Sequence, residues 1–87
     1  ELGIILFEER EMNALGYRFL QNEKVKEAVE LFKLNVIAYP NSANVYDSLG
    51  EAYMKSGDTK NAIKYYKKFL ELNPDNNNAK EMLKKLK

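Results

Sequence analysis

Apolar residues in this chain recur at three- and four-residue steps, and the pattern breaks at regular places. Val45, Tyr46, Leu49, Ala52 and Tyr53 make one apolar helix face. Ser56-Gly57-Asp58 then punctuates: Gly57 can take the left-handed conformation that ends a helix, and Asp58 can cap the next one. Ala62, Ile63, Tyr66, Phe69 and Leu70 form a second face, which Asn73-Pro74-Asp75 stops because proline disfavours helical geometry in the residue before it. The same two-helix pattern occurs earlier. Met12, Leu15, Gly16 and Phe19 are followed by a break near Asn22, then by Ala28, Phe32 and Val36, then by Pro40-Asn41-Ser42, where Ser42 is placed to cap a helix. A last helix is expected to turn Ala79, Met82, Leu83 and Leu86 inward and Lys80, Lys84, Lys85 and Lys87 outward.

Shifting the sequence by 34 residues superimposes the two patterns: Leu15 on Leu49, Gly16 on Gly50, Ala28 on Ala62 and Pro40 on Pro74, with Phe19 on Tyr53, Val29 on Ile63 and Phe32 on Tyr66. An internal period of this length predicts stacked helical hairpins. The expected division is an apolar N-terminal segment (1–8), a first repeat (9–42), a second repeat (43–76) and a capping helix (77–87) within a single domain. Glycine in mid-helix costs about 1 kcal/mol against alanine. Gly16 and Gly50 are therefore expected where a neighbouring helix comes close, with Ala28 and Ala62 as the facing small residues. The aromatics Phe19, Phe32, Tyr46, Tyr53 and Tyr66 are expected to fill the core around those contacts.

These residues resemble the tetratricopeptide repeat, whose pattern is aromatic-x2-Leu-Gly-x2-aromatic, then Ala-x3-aromatic, then Pro. The second copy is similar throughout: Tyr46, Leu49, Gly50, Tyr53, Ala62, Tyr66, Pro74. The first has Met12 in place of the leading aromatic, then Leu15, Gly16, Phe19, Ala28, Phe32 and Pro40. It departs at Glu23, where the turn glycine is usual, and at Arg18 and Asn35, where small residues are usual; Phe69 departs likewise in the second copy. The resemblance covers roughly residues 8–87. It implies an all-α fold: an α-solenoid of antiparallel helical hairpins, about two repeats plus a C-terminal capping helix. A second resemblance runs from Leu34 to Gly50, centred on Tyr39–Gly50, with Asn13–Tyr17 before it. It is similar to repeat tails fused behind bacterial hydrolases, including serine hydrolases of the β-lactamase-like type.

The family resemblance implies a non-catalytic protein–protein interaction module that binds a protein or peptide. Its inner face would be lined mostly by the first helix of each repeat, here by Asn13, Tyr17, Gln21, Asn44, Asp47, Glu51, Lys55, Asn78 and Glu81. One subtype grips a C-terminal carboxylate with lysine, arginine and asparagine. The corresponding places here hold Tyr17, Ser48 and Met82, beside the acidic Asp47 and Glu51, so a neutral or basic peptide is expected instead. The alternative that the second resemblance implies is a structural tail of a larger enzyme. In that case the apolar run Leu2, Ile4, Ile5, Leu6 and Phe7 would dock onto the parent domain or onto a second copy of the chain. Folding of the same run into the module's own core is the other possibility.

Composition narrows the function classes. Fourteen basic and thirteen acidic residues nearly cancel, which speaks against a nucleic-acid partner. The late lysines fall on expected exposed faces. The run Leu2–Phe7 is too short for a membrane span and lacks the basic leader and cleavage site of a signal peptide. An opening at Glu1 rather than Met is expected of a chain that begins inside a longer polypeptide or after a processed segment. The absence of cysteine leaves a cytoplasmic and a bacterial periplasmic or secreted location equally open. The absence of histidine removes the commonest general base and metal ligand. Ser42, Ser48 and Ser56 therefore have nothing to activate them, and no phosphate loop or metal-ligand spacing is present, so neither catalysis nor a cofactor is expected. Asp47 and Glu51 stand one helical turn apart. That spacing can hold a divalent ion weakly, but without further ligands the pair reads as solvated surface.

Overall fold

The computed structural model describes residues 8–86. The apolar run Leu2, Ile4, Ile5, Leu6 and Phe7 lies outside the described residues, as does Lys87. The described chain forms five helices and no strand: α1 (Glu9–Gln21), α2 (Val25–Ala38), α3 (Ala43–Ser56), α4 (Thr59–Leu72) and α5 (Asn77–Leu86). α1 pairs with α2, α3 with α4, and α5 closes the C-terminal side against α4. α3 also packs on α2, so the second hairpin stacks on the first. This is an all-α solenoid of about two hairpins and a capping helix.

Local chemistry sets the helix ends. At the start of α1 the Glu11 carboxylate accepts the Glu8 N–H at 3.0 Å, one half of a capping box. Between α3 and α4, Gly57 sits at φ 87° and the Asp58 side chain accepts the Asn61 N–H at 3.2 Å. At the matching place in the first hairpin, Glu23 takes φ 61°. The turn geometry is kept there although the glycine is not. Asn76 Oδ1 accepts the Ala79 N–H at 2.9 Å and caps α5. Ser42 corrects the sequence reading: it stands at the N-cap of α3, but its side chain makes no capping bond and its hydroxyl donates to the Glu9 carboxylate instead.

The core forms where the hairpins close. Phe32, Leu49, Ala28, Ala52 and Ala62 are fully buried, with Tyr53, Tyr66 and Leu83 around them. A second cluster of Val45, Tyr46, Phe69 and Ala79 joins α3, α4 and α5. The glycines mark the close approaches. A Cβ added to Gly16 would stand 2.3 Å from Phe32 Cε1, and one added to Gly50 would stand 3.2 Å from the Tyr66 ring. Asn35 is fully buried. Its Nδ2 donates to the Glu9 carbonyl at 3.2 Å, which pins α2 to the start of α1.

Candidate functional site

The first helices α1, α3 and α5 share one face, and the two junctions between them differ. The α1–α3 junction is closed by three side-chain hydrogen bonds. The Ser42 hydroxyl donates to Glu9, the Ser48 hydroxyl to Asn13 Oδ1, and the Tyr17 hydroxyl to Glu51 Oε1 at 2.9 Å. Tyr17 also packs edge-on against Phe32, with ring centroids 5.3 Å apart. Burial, reinforced by the Glu51 and Asp47 charges, pushes the Tyr17 hydroxyl up to about 12.

The α3–α5 junction is open. A pocket of ≈ 280 Å³ lies between α3, α4 and α5, lined by Asp47, Glu51, Met54, Tyr66, Asn78, Ala79 and Met82. Asp47 and Glu51 are half-buried, not the solvated pair that their spacing suggested. Burial raises the Asp47 carboxyl, and the Glu51 charge adds to the rise. Among the described residues neither carboxylate has a cationic partner, and the ion pairs there are Lys33–Glu30 and Lys68–Glu71. Tyr66 is 3% exposed, and its hydroxyl has no hydrogen-bond partner among the described residues. Burial and then the Asp47 and Glu51 charges push that hydroxyl up as well.

The predicted inner-face residues therefore separate into groups. Asn13, Tyr17 and Glu51 hold the α1–α3 seam together. Asp47, Glu51 and Asn78 meet in the α3–α5 pocket. Asn13 and Asn44 line a second opening of ≈ 420 Å³ with Glu8, Glu9, Arg10 and Tyr39. Gln21, Lys55 and Glu81 are exposed and line neither opening. Sequence reasoning treated Tyr66 as core alone and gave Met54 no role. The signal available was the ring pair Phe32 and Tyr66: the first repeat fills this place with a phenyl group, so packing over glycine does not require the hydroxyl. Among the described residues no group of three or more potential metal ligands comes together, and no helix is long and apolar enough to cross a membrane.

A family model of the tetratricopeptide repeat matches residues 43–76, the stretch from the start of α3 to the residue before α5. Residues 43–76 are a tetratricopeptide repeat. The described residues share the architecture. The chain is similar to the first tetratricopeptide-repeat domain of Spaghetti (RPAP3), solved bound to the HSP90 peptide SRMEEVD, at 18% identity and a TM-score of 0.56, over 97% of this chain and 95% of that one. No curated protein matches the chain. The likeness shows a common tetratricopeptide-repeat fold. The peptide SRMEEVD is bound by the Spaghetti domain and carries two glutamates and an aspartate, whereas the α3–α5 pocket here presents two carboxylates of its own.

Proposed function

We propose that this tetratricopeptide-repeat chain is a non-catalytic protein-interaction module whose α1–α3–α5 face binds a neutral or basic peptide. The observation that carries this reading is the open, acidic α3–α5 pocket beside a junction that hydrogen bonds have closed. Exposed side-chain amides for a peptide backbone are Asn78 at this pocket and Asn44 at the second opening. The Spaghetti domain, which shares the fold, was solved with a peptide bound. The sign of the pocket argues for the opposite charge preference, since an acidic peptide would meet Asp47 and Glu51 as like charges. A peptide array scored against the purified chain tests this. Preferential retention of basic and neutral peptides is expected, with NMR shift changes on α1, α3 and α5. Equal retention of acidic and basic peptides, or shifts confined to α2 and α4, would overturn it.

A second reading rests on α2. Leu34 and Ile37 are 55% and 75% exposed. One repeat later the same places hold Lys68 and Glu71, which form an i,i+3 ion pair at 3.5 Å. Leu31 and Leu34 also line an apolar hollow with Phe19. An accessory tail that docks onto a parent enzyme, or onto a second copy of itself, would use such a surface. Light scattering on the wild type and on Leu34→Asp/Ile37→Asp tests self-association. A wild-type dimer that becomes a folded monomer supports it, and a wild-type monomer at high concentration removes it.

A further inference from the structure

We infer that the α3–α5 pocket is a receptacle for the cationic end of a lysine or arginine side chain of a bound polypeptide, with Asp47, Glu51 and the Tyr66 hydroxyl taking the charge. The inference rests on the peptide-binding reading above and names the group that this part of the face selects.

The internal repeat supplies the control. One period earlier, the places of Asp47, Glu51 and Tyr66 hold Asn13, Tyr17 and Phe32. There Asn13 accepts from Ser48 and Tyr17 donates to Glu51, so the polar groups of the junction satisfy one another. At the α3–α5 junction the place of Ser48 holds Met82, which offers the Asp47 carboxylate no donor. The place of Glu51 on α5 holds Lys85, but Lys85 is exposed and makes no ion pair with Asp47 or Glu51. The same fold thus closes one junction and leaves the next with two half-buried carboxylates that have no counter-charge among the described residues.

Three features give this opening the shape of a cation site. Two carboxylates one helical turn apart repel each other when both are ionised, and a cation between them relieves that repulsion. Tyr66 is a buried residue whose hydroxyl has no partner among the described residues, and that hydroxyl is not sealed in the core, so it stays available to a ligand in the pocket. Tyr66 lines the same pocket as the carboxylates, and its hydroxyl can accept from an ammonium or guanidinium N–H. Met54, Ala79 and Met82 provide an apolar wall for the methylene stem that carries the charge. An acidic or purely apolar side chain would leave the carboxylates unpaired.

The test uses 15N NMR titration of the full chain with N-acetyl-lysine amide, N-acetyl-arginine amide and N-acetyl-norleucine amide, the last keeping the stem without the charge. Saturable shifts at Asp47, Glu51, Tyr66 and Asn78 are expected with either cation and absent with norleucine. Asp47→Asn/Glu51→Gln should weaken the response about ten-fold or more. Tyr66→Phe, which matches Phe32 of the first repeat, should weaken it several-fold while leaving the fold intact. Equal shifts with norleucine, or an undiminished response in the folded double variant, would overturn the inference. An array-selected peptide that binds the α1–α3–α5 face and is indifferent to the double variant would overturn it too, while leaving the broader peptide-binding reading in place.

Discussion

The Tyr17 hydroxyl donates a 2.9 Å hydrogen bond to the Glu51 carboxylate 34 residues away, so one repeat is tied to the next through corresponding positions of their first helices. Together with the Ser48–Asn13 and Ser42–Glu9 bonds it forms a polar seam along α1 and α3. Hydrogen bonds to charged groups are stronger than neutral ones. Tyr17→Phe should therefore cost about 1 kcal/mol of unfolding free energy, given that the bond is only partly buried. In a double-mutant cycle, Tyr17→Phe with Glu51→Gln should show coupling, and strictly additive losses would deny the bond an energetic role. The seam also has a pH signature. Tyr17 ionises near 12 when folded rather than at the ordinary 10. An acid whose folded pKa is raised loses stability as pH climbs from the unfolded pKa toward the folded one. Alkaline unfolding above pH 10 should accordingly be blunted in Tyr17→Phe.

The two mid-helix glycines should respond differently to alanine. At Gly16 the new Cβ would stand 2.3 to 2.8 Å from three atoms of the fully buried Phe32 ring, which has nowhere to retreat. Overpacking of this kind costs about 1–3 kcal/mol, more than the gain of about 1 kcal/mol in helix propensity. At Gly50 the Tyr66 ring lies at 3.2 to 3.3 Å, and a shift of a few tenths of an ångström suffices. Gly16→Ala should be clearly destabilising in urea and Gly50→Ala nearly neutral. Similar midpoints for the two would contradict the packing described.

Glu23 and Gly57 offer a paired test of backbone strain. Both adopt left-handed geometry, at φ 61° and φ 87°. A residue with a Cβ is disfavoured there by about 1–2 kcal/mol. Glu23→Gly should therefore raise the melting temperature, by an amount corresponding to about 1 kcal/mol or less once the added freedom of the unfolded glycine is counted. A Cβ at Gly57 would meet nothing within 4 Å, so Gly57→Ala should destabilise through the backbone alone. Calorimetry on the two variants checks both signs.

Asp47 should be unfavourable for stability and necessary for binding. Its folded pKa is raised by burial and by Glu51. For a carboxyl, a raised folded pKa means that stability falls as pH rises past the unfolded value near 3.8, and the deficit persists at neutral pH. Asp47→Asn should melt higher than the wild type at about pH 7. The advantage should vanish at a pH below the ordinary carboxylate range, where Asp47 is protonated in both states. A variant that melts lower at neutral pH would mean that Asp47 already has a favourable partner within the protein.

The sequence makes the fold legible where a residue type has one mechanical use. Gly16 and Gly50 mark close helix approaches, Gly57 and Asp58 mark a turn and its cap, and Asn73-Pro74 ends α4. It is less informative where one residue type has two uses. Ser42 is a capping residue by type and position, yet its hydroxyl turns to Glu9 because α1 brings a carboxylate within reach. Glu23 gives no sign of left-handed geometry by its residue type; only its register with Gly57 points to the turn, and the surrounding hairpin imposes the geometry. Tyr66 reads as core from its spacing, and the ring is core. What its hydroxyl faces depends on how α5 leans on α3 and α4, which no local pattern encodes.

Preference for positive charge at the α3–α5 pocket is the property on which the functional reading turns. Fluorescence anisotropy with two labelled peptide pools of equal length, one lysine- and arginine-rich and one glutamate- and aspartate-rich, tests it most directly when run on the wild type and on Asp47→Asn/Glu51→Gln. The wild type is expected to prefer the basic pool, and the folded double variant to lose the preference. Equal affinity of the wild type for both pools, or a preference that survives in the double variant, would contradict it.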